Sequence, residues 1–176
     1  MIEKVVNGDA LYAREEMLLV PVPSQSVNLQ EGFAGKLARL IPYANMRFRS
    51  HGGLRLGEMM IVGSLAGDTN WTKPYSVVFS AIHERRERVW EYAPLALETT
   101  LSELESTYGS SKQLATAGVP GTGFSGLRGD ATPVQIKSVL ENTAIPVTIY
   151  DQEFAGDREP LEYAQPTLSA GAVVNG

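Results

Sequence analysis

The chain has 176 residues, 43% hydrophobic and 20% charged, a balance that suits one soluble domain with a two- or three-layer core. It contains no Cys, which excludes disulfides, thiolate metal sites and cysteine catalysis, and its two His, His51 and His83, form no cluster for a transition metal. The formal charge of −5 argues against an extended nucleic-acid surface, while a small anionic ligand needs only a locally positive pocket.

Apolar runs alternate with helical patterns along the chain, the sign of a sheet built with crossover helices. Strands are expected at Ile2 to Val6, Met17 to Val22, Glu58 to Val62, Tyr75 to Ile82, Gln113 to Gly118 and Val147 to Tyr150. MLLVPV and YSVVFSAI are almost continuously apolar, as in strands covered on both faces. The first helix falls on GFAGKLARLI, with Phe33, Leu37, Leu40 and Ile41 on one face and Pro42 ending it. The next runs from Pro94 to Tyr108, burying Leu97, Leu101 and Leu104, with Gly109 as its stop. The last starts at Thr132-Pro133-Val134-Gln135, a capping box, and buries Val134, Ile136, Val139 and Leu140.

After Tyr150 the periodicity stops. This predicts a domain over 1–150 and an irregular C-terminal extension over 151–176. No apolar stretch is long enough to span a bilayer, and MIEKVVNGD lacks the apolar core of a signal peptide, so a cytoplasmic protein without membrane contact is expected.

The run GVPGTGFSG, Gly118 to Gly126, is the most informative segment. Glycines let successive backbone N–H groups converge on an anion with no side chain in the way, and a loop of this kind suits a diphosphate. Gly121-Thr122-Gly123-Phe124-Ser125-Gly126 also matches the dinucleotide fingerprint G-x-G-x-x-G, with Asp151 as a ribose-binding acid. Against a Rossmann domain, the helix cap stands later, at Thr132, and too little chain follows Asp151 to complete such a sheet.

Gly8-Asp9 directly after the first strand, Asn28-Leu29-Gln30-Glu31-Gly32-Phe33-Ala34 opening a helix, Gly118-Val119-Pro120-Gly121-Thr122-Gly123 after a late strand, Gly57-Glu58 before a strand and the closing Val147-Thr148-Ile149-Tyr150 share one order and spacing. In these motifs the chain resembles the macro domain family, over roughly Ile2 to Tyr150. It is most similar to the branch holding terminal ADP-ribose protein glycohydrolase and the antitoxin macrodomains that remove ADP-ribose from DNA. The resemblance implies a three-layer α/β/α mixed sheet, with an irregular C-terminal tail outside the similarity. It also implies a cleft for ADP-ribose or a related nucleotide, the partner being that nucleotide or an ADP-ribosylated macromolecule, and no cofactor or metal.

In that cleft Asp9 receives the adenine amino group, and Gln30, Glu31, Gly32 and Phe33 form the first phosphate loop. Gly121, Thr122, Gly123, Phe124 and Ser125 form the second loop, with Phe124 against the distal ribose. Asp9 alternatively closes a turn at the strand end, and Phe124 alternatively belongs to the core. Glycohydrolases of this branch use a Lys near the end of the central strand and an Asp just after the second G-x-G. Arg85 and Ser125 stand at those places here, and Arg stays protonated and is no amine nucleophile. His83 is a candidate general base, with Glu84 or Glu31 orienting it. The cluster His83-Glu84-Arg85-Arg86-Glu87-Arg88 reads most simply as a solvated face of mixed charge, with a phosphate clamp by Arg85 or Arg86 as the sharper alternative. Trp71 and Trp90 are read as packing or rim residues. Two functions follow from the resemblance: binding with hydrolysis of an ADP-ribose derivative, or a non-catalytic module that sequesters a nucleotide signal or recognises an ADP-ribosylated partner.

Overall fold

The computed structural model describes residues 1–6, 8–29, 32–63, 76–86, 89–117 and 133–150. In chain order these form β1 (Ile2–Val6), a 3-10 turn (Ala10–Tyr12), β2 (Met17–Pro23), α1 (Gly32–Leu40), α2 (Pro42–His51), β3 (Met59–Val62), β4 (Ser76–Arg86), β5 (Val89–Tyr92), α3 (Pro94–Tyr108), β6 (Leu114–Ala117), α4 (Pro133–Asn142) and β7 (Val147–Tyr150). The described strands make one sheet in the order β1-β7-β6-β2-β4-β3, with β5 also paired to β4. The first five strands of that order run parallel, and β3 and β5 run antiparallel to β4. A Rossmann sheet follows the order 3-2-1-4-5-6, so this topology is a different one.

Period-two alternation in the central strands divides the core into two layers. Leu18, Val20 and Val22 of β2, with Val77, Phe79 and Ala81 of β4, pack against Leu37 and Ala38 of α1 and Ala44 and Phe48 of α2. Met17 and Leu19, with Val78 and Ile82, face Leu97, Leu101 and Leu104 of α3 and Leu140 of α4 on the other side. The result is the three-layer α/β/α arrangement with a mixed sheet. Between sheet and α3, the buried hydroxyls of Ser80 and Thr100 satisfy each other at 2.7 Å.

Several elements depart from the sequence reading. Helix α1 does end before Pro42, but Pro42 then occupies the first turn of a further helix, α2, because its missing N–H costs nothing there. Leu40, expected in the buried stripe, is 38% exposed, while Leu37 and Ile41 are fully buried. Strand β4 continues to Arg86 and turns back into β5, with His83 opposite Tyr92 and Arg85 opposite Trp90. His83 is therefore a fully buried strand residue and no part of a solvated face. Charge-rich strand residues escape a reading based on apolar alternation, and this hairpin is seen in the backbone pairing of β4 with β5.

The capping residue Thr132, Trp71, Val134 and Ile136 as packing residues, and the extension 151–176 lie outside what is described of backbone or side chain.

Candidate functional site

Chain connectivity locates a crevice before any side chain is considered. After β2 the chain passes into α1 and α2 on one face of the sheet; after β6 it passes into α4 on the other. Strands β2 and β6 are parallel neighbours, so their onward connections diverge in opposite directions, the arrangement that opens a ligand crevice beyond the carboxyl ends of the strands. The β2–β6 ladder stops at Leu19–Thr116, while β2 continues through Pro21 and Pro23. Neither proline has an N–H to offer a neighbouring strand.

The turn after β1 forms one wall. Asp9 is half-buried, and its Oδ1 accepts a hydrogen bond from the Leu11 N–H at 3.0 Å while its carbonyl accepts from the Tyr12 N–H at 2.9 Å. The carboxylate thus caps the 3-10 turn, the short-range role open to any Asp at a strand end, and among the described residues its second oxygen accepts no hydrogen bond. Burial first, and the Asp9 charge second, push the Tyr12 phenol above its ordinary value, which places the phenol near that carboxylate. Ala10 and Leu11 are buried in the α1–α2 layer with Tyr150 and Ala115, and Tyr12, Ala13 and Ala117 pack against it.

Beneath this turn lies a buried carboxylate that the sequence did not reveal. Glu15 Oε2 accepts from the Tyr150 hydroxyl at 2.8 Å and from the Arg14 N–H at 3.1 Å, and Oε1 stands 4.0 Å from Lys4 Nζ. Glu15 therefore binds the end of the turn to β7 and β1 together. It sits in Arg14-Glu15-Glu16, a polar run with no period, so nothing local distinguished it from a solvated acid.

The opposite wall begins at α1. Leu29 is buried, Gly32 opens the helix at φ 61° and is exposed, and Phe33 is half-buried against the α1–α2 layer. The first turn of α1 carries N–H groups without helical partners and the positive end of the helix dipole, both favourable to an anion. The chain reaches it through a tight exit from β2. The Ser24 N–H donates to the His83 carbonyl and the Gln25 N–H to the Leu54 carbonyl, each at 2.7 Å. Gln25 takes a left-handed φ of 61°, and Gly53, itself at φ 100°, lies so near that an added Cβ would stand 3.3 Å from the Gln25 carbonyl.

Of the residues singled out in the sequence, Asp9, Gly32 and Phe33 stand at this edge, which also receives the end of β6 at Ala117. His83 is enclosed within β4, and its carbonyl serves the β2 exit. Arg85 is a β4 residue whose side chain, like Gln30, Glu31 and Gly121 to Ser125, lies outside what is described. Among the described residues no three His, Asp or Glu gather as a metal site, and no helix is long and apolar enough to cross a membrane.

Comparison of the sequence with family models and with curated proteins returns no match. Solved structures do match. The macrodomain of Mycobacterium tuberculosis DarG is 18% identical, with a TM-score of 0.65 over 85% of this chain and 97% of that one. Thermosipho africanus DarTG in complex with ADP-ribose is 18% identical, with a TM-score of 0.62 over 89% of this chain and 42% of that one. A Trypanosoma brucei macrodomain in complex with ADP-ribose is 11% identical, with a TM-score of 0.57 over 98% and 68%. At such identities the likeness is one of fold.

Proposed function

Because the chain has the macrodomain fold, we propose that it binds ADP-ribose or a related ADP-ribosyl nucleotide in the crevice at the carboxyl ends of β2 and β6. The observation that carries the reading is the placing of Asp9 and the Gly32–Phe33 helix start at one edge, beside a topological switch point. The second oxygen of Asp9, which accepts no hydrogen bond among the described residues, accepts from an exocyclic amine, and the first turn of α1 receives the diphosphate. Gly121 to Ser125 cover the same diphosphate, with Phe124 toward the distal ribose. Two of the macrodomain structures cited above hold ADP-ribose, which supports this choice of ligand. Calorimetric titration with ADP-ribose and with AMP tests it. Heat of binding is expected for ADP-ribose, and absence of heat with both ligands overturns the proposal.

Between turnover and binding alone, the sequence favours binding: Arg85 and Ser125 stand where the resembled glycohydrolases carry Lys and Asp, and the His83 imidazole is fully buried. The protein is accordingly a sequestering or recognition module for a nucleotide signal or an ADP-ribosylated macromolecule. Incubation with ADP-ribosylated protein, ADP-ribosylated DNA and ADP-ribose 1″-phosphate should release no ADP-ribose. Release from any of them assigns hydrolysis instead.

A further inference from the structure

The net charge conceals a separation of charge between the two helical layers. From Gly32 to Gly57 the sequence holds Lys36, Arg39, Arg47, Arg49 and Arg55 and not one Asp or Glu, within a chain of formal charge −5. All five are exposed, and among the described residues the ion pairing of this stretch is confined to Arg55 with Glu58, at 3.9 Å. Four exposed apolar side chains stand in the same stretch: Leu40, Tyr43, Met46 and Leu56, with Met46 55% exposed. On α2, Tyr43, Met46, Arg47, Arg49 and Ser50 neighbour one another at i, i+3 and i, i+4 spacing. Arg, Tyr and Met, with little Lys, is the composition of protein contact surfaces, and Leu or Met gains nothing from a phosphate backbone.

In the opposite layer helix α3 carries the complement, beside an α4 that holds the exposed Lys137. From Pro94 to Ser111 the chain holds Glu98, Glu103 and Glu105 and no Lys or Arg, and Leu95 is 74% exposed at the head of α3. Between α3 and α4 runs an open groove of about 330 Å³, its lining including Glu98, Leu101, Ser102, Glu105 and Val139. It is wide enough for one long side chain, and its lining is mostly polar, with the Glu98 and Glu105 carboxylates beside Leu101 and Val139. A guanidinium pairs with carboxylates bidentately while its methylene stem lies on apolar surface.

We propose that the α1–α2 face of one copy of this chain docks on the α3–α4 face of a second copy, with Arg47 and Arg49 meeting Glu98 and Glu103. The two faces lie on opposite sides of the sheet, so no copy satisfies its own, and the contact is head-to-tail, extending without closing into a dimer. Individual exposed ion pairs are weak and are screened within about 3 Å at 1 M salt, so the association is reversible and salt-sensitive.

Analytical ultracentrifugation of the full chain tests this with two variants, R47E/R49E and E98K/E103K, each checked for native circular dichroism. For the wild type, the weight-average mass is expected to rise by at least about 1.5-fold from dilute to concentrated protein in low salt and to fall back in about 0.5 M salt. Each variant alone is expected to remain monomeric. Mixed, they should associate again, since one retains its acidic face and the other its basic face. A wild type that is monomeric throughout, variants that still associate, or a mixture that fails to recover association overturns the proposal. So does a mixture that stays monomeric while a single-stranded oligonucleotide binds the wild type and not R47E/R49E; the basic face then serves nucleic acid.

Discussion

Replacing Tyr150 by Phe removes one hydroxyl and leaves a carboxylate in difficulty. Glu15 has a side chain only 4% exposed, and its Oε2 relies on the Tyr150 hydroxyl at 2.8 Å and the Arg14 N–H at 3.1 Å. Lys4 Nζ, at 4.0 Å, is too distant to serve as a hydrogen-bond donor in its place. Tyr150 is itself 1% exposed, so water does not replace the lost donor without local opening. Hydrogen bonds to charged groups contribute about 1.5–3 kcal/mol, and an orphaned buried acceptor costs a comparable amount. Tyr150→Phe should therefore lose about 2 kcal/mol in urea unfolding, or roughly 4–8 °C in Tm for a domain of this size. Removing the acid as well, in Tyr150→Phe with Glu15→Met, should recover part of that loss, because no buried carboxylate is then left short of a donor and Lys4 reaches solvent, although the Arg14 N–H gives up its acceptor. A coupling of about 1–2 kcal/mol between the two sites is expected. If Tyr150→Phe unfolds within about 0.5 kcal/mol of the parent, or the double variant is only as stable as the sum of the singles, the buried pair does not hold this region as argued.

Asp9→Asn keeps an oxygen to cap the 3-10 turn but presents an amide to the adenine amine, so ADP-ribose affinity should fall about tenfold, or roughly 1.4 kcal/mol, with Tm unchanged. Unchanged affinity by calorimetry would leave Asp9 as a turn cap alone. Gly53→Ala places a Cβ 3.3 Å from the Gln25 carbonyl at φ 100°, a conformation costing L residues about 1–3 kcal/mol, and should lower Tm while weakening nucleotide binding through the displaced approach to α1. Glu105 is held below its ordinary carboxylate value, chiefly by the Thr143 hydroxyl and then by the Ala144 N–H. A folded-state value below the unfolded one contributes stability above about pH 4.5 that is lost as pH falls. Glu105→Gln should therefore be less stable than the parent near pH 7 and converge with it in acid, and parallel stability profiles across that range would refute the linkage.

The fold was readable wherever burial follows a period. Strands β1 and β7 and helix α3 have the bounds the sequence suggests, because their apolar spacing matches strand or helix geometry and Pro94 and Gly109 mark the helix ends. Helix α2 was not readable: its buried face rests on Ala44 and Phe48 alone, and the remaining residues are exposed or polar. Strand β5 was hidden by the charges of the hairpin before it. At the candidate site, Gly8-Asp9 follows the end of β1 and Gly32-Phe33 opens α1, as their place in the sequence pattern suggests. Glu15 and Tyr150 carried none, because a contact across 135 positions leaves no mark on local spacing. Net charge is coarse in a different way: a sum over the chain is blind to the side of the sheet on which each charge sits.

Pairing of β1 with β7 bears on how the molecule comes to be made. Among the described residues β1 has no neighbour but β7, in register from Ile2–Val147 to Val6–Tyr150, and the Met1 ammonium donates to the Thr143 carbonyl and, at 2.8 Å, to the Ile145 carbonyl. During synthesis β1 must wait, with these backbone groups unpaired, until β7 follows more than 140 residues later. Such long-range closure makes folding slow and leaves the nascent chain exposed to wrong edge pairing. The acids and bases on β1, Glu3 and Lys4, are both exposed and discourage that error while the strand is alone. Until β7 arrives, β1 lacks its neighbour and Glu15 lacks the Tyr150 hydroxyl, so the wall that bears Asp9 is completed only with residues 147–150.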